Sequence, residues 1–331
     1  MVLVTGGAGF IGSNLAAALA EQGVPVAICD RLRSGSKWRN IGKLELRDLI
    51  APEQLESWLE QHGGALDAIV HMGAISSTTE TDADLIVETN FRLSQRLWRW
   101  CAQHGKRFIY ASSAATYGGA DAGFEDDWSM SALAQLRPLN AYGWSKLLFD
   151  RWAVREVALG KGNSNGRPAQ WVGLKFFNVY GPNEYHKGSM QSVVAQKYAA
   201  AAAGEPITLF RSHREGVSDG GQRRDFVYVA DCVQVMLWLL GNPGVSGIFN
   251  LGTGQARSFA QLATALYAAV NRPPHLTYVD TPLAIRPNYQ YFTEARMDRL
   301  RSAGYSRPFM SLEEGVNDYV RRFLSQPDRY R

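Results

Sequence analysis

The chain has 331 residues, 46% of them hydrophobic and 20% charged, with 32 Gly and 13 Pro. It can bury one large core or two smaller ones, and it lies outside the compositions of disordered, collagen-like and disulfide-scaffold proteins. Lys and Arg number 35 against 31 Asp and Glu, a net charge of +4 spread along the chain, so neither nucleic acid nor a membrane surface is an expected partner. No apolar run approaches the roughly 18 residues of a transmembrane helix. Cys29, Cys101 and Cys232 are odd in number without CxxC spacing, which points to no structural metal and to the reducing cytoplasm.

Val2–Thr5 reads as a buried strand at the start of the fold, so no signal peptide is expected before it. Further strands are expected at Val24–Asp30, Ala68–His71, Arg107–Ser112 and Trp171–Phe177, with helices at 10–22, 52–62, 82–104 and 138–159 between them. Strands that are apolar throughout and alternate with helices imply a parallel sheet covered on both faces. The expected fold is therefore α/β, a Rossmann-type doubly wound sheet. The tract Gly160–Pro168 reads as a surface loop.

After 177 the pattern changes to a Gly/Pro/Asn/His loop at 178–189, a helix at 190–203 and a Gly/Arg-rich loop at 211–224 that looks mobile. A helix at 230–241 and a strand at Gly247–Leu251 resume the first pattern, and the tail from 256 reads as helices and loops. The expected division is a cofactor domain of 1–177 and about 228–256, with a smaller, mostly helical substrate domain of about 178–227 and 257–331.

The first strand runs into Thr5-Gly-Gly-Ala-Gly-Phe-Ile-Gly12. Gly6, Gly9 and Gly12 suit a tight turn, close approach of backbone to a pyrophosphate, and helix-on-strand packing, and the helix N-terminus beyond them favours anions. Asp30, eighteen residues past Gly12, could accept from adenosine ribose hydroxyls and favour NAD. Arg31, Arg33 and Lys37 follow at once and could neutralise a 2′-phosphate instead, favouring NADP. The two signals conflict.

Tyr142 and Lys146 stand i and i+4 on one helical face. A nearby ammonium favours the phenolate and brings a phenol toward use as a base. Ser113, at a strand end, could donate to the same substrate oxygen. His71 ends an apolar strand and reads as a core or cofactor-edge residue, while Trp98 and Trp100 read as core or subunit contact.

With TGGAGFIG at 5–12, Asn90, SSAATYG at 112–118, YGWSK at 142–146 and RDFVYVAD at 224–231, the sequence resembles the extended short-chain dehydrogenase/reductase family over nearly its whole length. The resemblance implies a nucleotide-sugar epimerase, dehydratase or reductase with one tightly bound NADP or NAD per subunit. It also implies that Phe10, Ile11, Met72, Gly73, Ala74, Ile75 and Ser76 line the cofactor and that Asn90 and Val179 help hold it. Dehydratases of the family carry Asp-Glu where this chain has Ala114 and Ala115, which leaves epimerase or reductase.

The loop FNVYGPNEYHKGSM at 177–190 resembles the heptose 6-epimerase branch of that family, as do IFNLGTG at 248–254 and YQYFT at 289–293. That likeness implies an ADP-heptose substrate, a homo-oligomer (a pentamer), and Tyr142 and Lys187 as two bases, with Lys187 also touching the cofactor. Substrate contacts would fall on Ser113, Asn178, Ser189, Gln196, Phe210, Arg224 and Tyr289. Lys187 would need a lowered pKa, from burial or a neighbouring cation, for which His186 is the nearest candidate. Two departures stand out: 212–222 is longer than in family members, and Pro52 replaces a cofactor-contacting lysine. A UDP-hexose 4-epimerase would use the same Tyr, Lys and Ser with less need of Lys187. A non-catalytic NAD(P)-sensing regulator could do without Tyr142 and Lys146.

Overall fold

The computed structural model describes residues 1–119, 123–160, 166–283, 286 and 289–331. Of the Gly160–Pro168 tract, 161–165 lie outside the described residues.

Strands β1 (Val2–Thr5), β2 (Val26–Cys29), β3 (Asp48–Ile50), β4 (Ala68–His71), β5 (Arg107–Ser113) and β6 (Trp171–Phe176) form the main sheet with a later strand, Gly247–Leu251. β7 (Asn178–Tyr180), β8 (Ile207–Phe210) and β9 (Arg223–Tyr228) lie between, so the later strand is β10. Its order is β10-β6-β5-β4-β1-β2-β3, and every pairing is parallel. The order reverses between β1 and β4, where open α/β sheets leave a crevice at the carboxyl ends of their strands. The strands are buried on both faces because successive side chains alternate. Val2 and Val4 join one apolar cluster, and Leu3 joins the other with Trp98, Phe108, Phe149 and Trp171. Trp98 is therefore core, and Trp100 stacks on His104 with ring centroids 4.4 Å apart.

Local signals set the helix ends. The helix Ala141–Leu159 begins three residues later than its periodicity suggests because the Asn140 side chain caps it, accepting from Gly143 N at 2.8 Å. The helix Val193–Ala203 is capped by Ser192 and stopped by Gly204 at φ 76°. The stretch 82–104 is not one regular helix: Val87–Arg92 forms a π-helical bulge between Ala83–Ile86 and Leu93–Gln103, with Asn90 buried in it. β3 went unseen in the sequence because it is a three-residue edge strand with one buried residue.

Beyond the main sheet, β7, β9 and β11 (Ala256–Ser258) make a three-stranded sheet, and β8 pairs in parallel with β12 (Leu276–Val279). These strands share a third core with the helices Val193–Ala203, Phe259–Ala269 and Leu312–Tyr319. Among the described residues no helix is long and apolar enough to cross a membrane. All three cysteines are buried and free.

Candidate active site

The Gly-rich turn is shaped by backbone contact. Gly6 has φ +64°, and a Cβ there would lie 2.6 Å from Gly73 Cα, across the β1–β4 crevice. A Cβ on Gly12 would lie 2.3 Å from Gly6 O. The helix Phe10–Glu21 that follows has Gly9 as its N-cap and no side-chain cap, which leaves its first N–H groups free for an anion. Asp30 closes this end: Oδ2 accepts from Ala8 N at 2.9 Å, and Oδ1 accepts from Lys37 Nζ at 2.6 Å. Lys37 thus neutralises the carboxylate that the sequence set against it. Arg31 turns away and pairs with Glu53, its Nε donating at 2.9 Å.

A cleft of about 430 Å³ runs from Asp30 and Lys37 past Gly6, Gly9, Phe10, Ile11 and Gly12 to Met72, Gly73, Ala74 and Ser76. It continues to Ser113, Tyr142, Lys146, Asn178, Val179 and Lys187. The chain thus brings most of its expected site residues into one cavity, from segments more than 180 positions apart. Ile75 and Asn90 stand just behind the wall. Asn90 clasps Ile75 by accepting from its N at 2.8 Å and donating to its O at 2.9 Å, and it also donates to Ser145 Oγ at 3.0 Å. The π bulge gives that side chain its reach, a common use of such bulges at functional sites.

At the reacting end, burial works on every group. It raises the Tyr142 phenol above its ordinary value, with a hydrogen bond from Ser113 working against the rise. It lowers the Lys146 ammonium to about 8, opposed by Asp150. Lys146 Nζ lies 6.0 Å from the Tyr142 ring centroid. The expected lowering of the phenol by its lysine is absent in the protein alone: burial sets the direction, and Ser113, not Lys146, opposes it. Burial also lowers Lys187, whose ammonium stands 5.2 Å from the Phe10 ring, and Glu184 opposes the shift. His186 supplies no cation: burial, Lys37 and Lys187 push its own pKa down. His71 is a satisfied core residue, bonded to Thr5 Oγ1 at 2.6 Å and Ser94 Oγ at 2.9 Å, with a pKa pushed down to about 3 by burial and by Lys146.

The expected substrate residues divide. Ser113 and Asn178 line the cleft. Ser189 is exposed, and Gln196 donates to Ser189 O at 3.1 Å and Gln191 O at 2.7 Å, so it braces the loop. Phe210, Arg224 and Tyr289 form a separate cluster: the Arg224 guanidinium lies 5.7 Å from the Tyr289 ring, and Phe210 meets Tyr289 with centroids 6.3 Å apart. Arg224 also donates to the carbonyls of Arg223 and Gln290. In the loop 211–224, Arg211 faces Asp280 at 3.4 Å and Asp219 at 3.8 Å on the surface, which suits a solubilising cation. Sequence reasoning missed Thr78, Met190, Gln290 and Thr293, which all line the cleft. Gln290 and Thr293 lie in the YQYFT stretch, where only Tyr289 stood out. Thr293 is buried, and its Oγ1 has no partner among the described residues.

Residues 2–252 match the NAD dependent epimerase/dehydratase family. The chain belongs to that family. This NAD dependent epimerase/dehydratase is 48% identical over 334 residues to an ADP-L-glycero-D-manno-heptose-6-epimerase of Nitratidesulfovibrio vulgaris, covering both chains fully. The crystal structure of a Helicobacter pylori protein of the same name superposes with TM-score 0.77 at 31% identity, covering 97% of this chain and 95% of that one. A Thermus thermophilus UDP-glucose 4-epimerase in complex with NAD gives TM-score 0.73 at 27% identity, over 96% and 97% of the two chains. A nicotinamide cofactor fits the cleft observed here. At Gly6 and Gly12 the cradle has no room for a Cβ, and an uncapped helix end faces it.

Proposed function

We propose that this epimerase interconverts ADP-D-glycero-D-manno-heptose and ADP-L-glycero-D-manno-heptose by oxidising C6 and reducing it again from the other face, supplying heptose for lipopolysaccharide cores. What carries the reading is that Tyr142, from the helix Ala141–Leu159, and Lys187, from the loop after β7, line one cleft. The full-length likeness to relatives bearing the heptose epimerase name supports the substrate.

The chemistry that a nicotinamide, NADP or NAD, would supply when held in the cleft is acceptance of a hydride from C6 and its later return. The chain's own residues handle the proton. Ser113 donates to the C6 oxygen and orients it, while Tyr142 takes the hydroxyl proton, with Lys146 stabilising the phenolate. Oxidation leaves a planar carbonyl at C6 that can accept hydride on either face. Once the carbonyl has turned, its oxygen points to another wall, and Lys187 delivers the proton there. A half-buried lysine is suited to this because partial desolvation makes it a better proton donor than a fully solvated one. Hydride and proton are each removed once and returned once, so the reaction is redox-neutral overall; exchange of a proton with water by each group returns Tyr142 to phenolate and Lys187 to ammonium. Gly6, Gly9, Gly12 and Asp30 hold the cofactor tightly, one per subunit, and Arg224 with Tyr289 and Phe210 takes the nucleotide end. Residues 1–177 and about 228–256 serve the cofactor, and the remainder serves the substrate. The protein works in the cytoplasm as a homo-oligomer, a pentamer.

The test is a proton NMR time course of ADP-D-glycero-D-manno-heptose with the purified protein and no added cofactor. The reading expects conversion to a mixture with the L-glycero epimer and no net NAD(P)H absorbance. An unchanged spectrum even after NAD and NADP are supplied removes the heptose assignment, and UDP-glucose becomes the next substrate.

A further inference from the structure

Asp150 and Lys175 form an ion pair at 3.2 Å with side chains 0% and 1% exposed, the most deeply buried such pair among the described residues. Neither lines the cleft. A buried pair of this kind is a poor device for stability, since apolar residues of similar volume commonly do as well or better. Its surroundings suggest another use. Asp150 stands one turn beyond Lys146 and two beyond Tyr142, on the same helical face.

Both carboxylate oxygens are occupied. Oδ2 accepts from Ser112 Oγ at 2.7 Å, and Oδ1 accepts from Tyr110 OH at 3.0 Å. Lys175 Nζ donates to Thr116 Oγ1 at 2.7 Å, and that hydroxyl donates in turn to Ser113 O at 2.8 Å. Ser113 is thus held from both sides: its neighbour Ser112 is tied to the anion, and its own carbonyl is tied through Thr116 to the cation. The charged and titratable groups around Lys146 are Tyr142 and Asp150 on its own helix and His71 on β4, with Lys175 on β6 beyond Asp150. His71 is neutral, since burial and Lys146 push its pKa down.

We propose that Asp150 and Lys175 are positioning residues of the catalytic group, fixing Ser113 opposite Tyr142 and supplying the counter-charge that keeps the buried Lys146 protonated. The inference rests on the reading of Tyr142, Lys146 and Ser113 as that group. It does not depend on which nucleotide sugar is bound.

The decisive variant is Asp150→Leu with Lys175→Met, which removes both charges at similar volume and leaves neither stranded. Its Tm and cofactor content should stay near those of the parent, and KM for ADP-D-glycero-D-manno-heptose should change little. The expected kcat loss is ~30-fold or more, from a misplaced donor and a weakened ammonium together. The alkaline limb of kcat should move to lower pH, because losing the Asp150 carboxylate lowers the Lys146 pKa further. Thr116→Val cuts only the link to Ser113 and keeps the ion pair. It should cost kcat ~5-fold, the worth of one hydrogen bond, without moving the pH limb. A purely structural pair would leave kcat and the limb of the folded double variant unmoved, and that result overturns the proposal. If the double variant fails to fold, Thr116→Val with an unchanged kcat overturns it instead. Tyr142→Phe in the same series locates a failure. A parental rate there overturns this proposal together with the catalytic reading, whereas a lost rate there beside an unmoved double variant overturns this proposal alone.

Discussion

The two ends of the cleft are built from different materials. At the cofactor end the shape is made by backbone: Gly6 against Gly73, Gly12 against Gly6, and an uncapped helix N-terminus, all within the first βα unit and the end of β4 beside it in the sheet. At the reacting end it is made by side chains that arrive separately, Tyr142 and Lys146 from one helix, Ser113 from β5 and Lys187 from the loop after β7. A backbone site tolerates no added atom. A side-chain site tolerates shape changes and depends instead on which form of each group is charged, because Lys146 and Ser113 are buried and Tyr142 and Lys187 half-buried there.

Changes aimed at either end should separate these behaviours. Tyr142→Phe, at the side-chain end, should cost kcat ~10²–10⁴-fold, the usual range for a lost acid–base group, with cofactor content unchanged by absorbance of the released nucleotide. Gly12→Ala, at the backbone end, places a Cβ 2.3 Å from Gly6 O, and that contact is with backbone that cannot rotate away. It should empty the protein of cofactor and lower stability by about 1–3 kcal/mol, read by thermal unfolding and by nucleotide content after purification.

The pH profile sharpens the comparison further. Lys146 is held down to about 8, so its ammonium is lost as pH rises through that value. The rate should therefore fall above about pH 8, roughly tenfold per unit, in kcat/KM measured for the free enzyme. His71, with its pKa near 3, should contribute no limb between pH 5 and 9. The smallest effect belongs to Lys37→Ala. Removing the partner of Asp30 frees the carboxylate and takes away a cation, so NADP binding should weaken a few-fold more than NAD binding in parallel titrations.

The same contrast explains what could be read in the sequence. β1, the Gly-rich turn and Asp30 follow one another within thirty residues, and their spacing is dictated by one local geometry, so the cofactor end was legible. Tyr142 and Lys146 were legible because i, i+4 fixes their shared face. Lys187, Arg224 and Tyr289 stood out only through likeness to a family, since nothing local tells which distant segments meet. Gln290 and Thr293 went unread for that reason. His186 beside Lys187 suggested a neighbouring cation, but charge state depends on burial, which no spacing reveals, and burial makes His186 neutral. Periodicity likewise missed the π bulge at Val87–Arg92, because one wide turn leaves the apolar pattern of 82–104 nearly unchanged.

The central claim is that two bases from distant segments share one cleft and divide the two proton transfers between them. The most direct measurement is the epimerisation rate of ADP-D-glycero-D-manno-heptose by proton NMR for the parent and for Tyr142→Phe with Lys187→Met, both shown to carry cofactor. The account predicts equilibration by the parent and no detectable epimer from the double variant. A double variant that epimerises at the parental rate would contradict it.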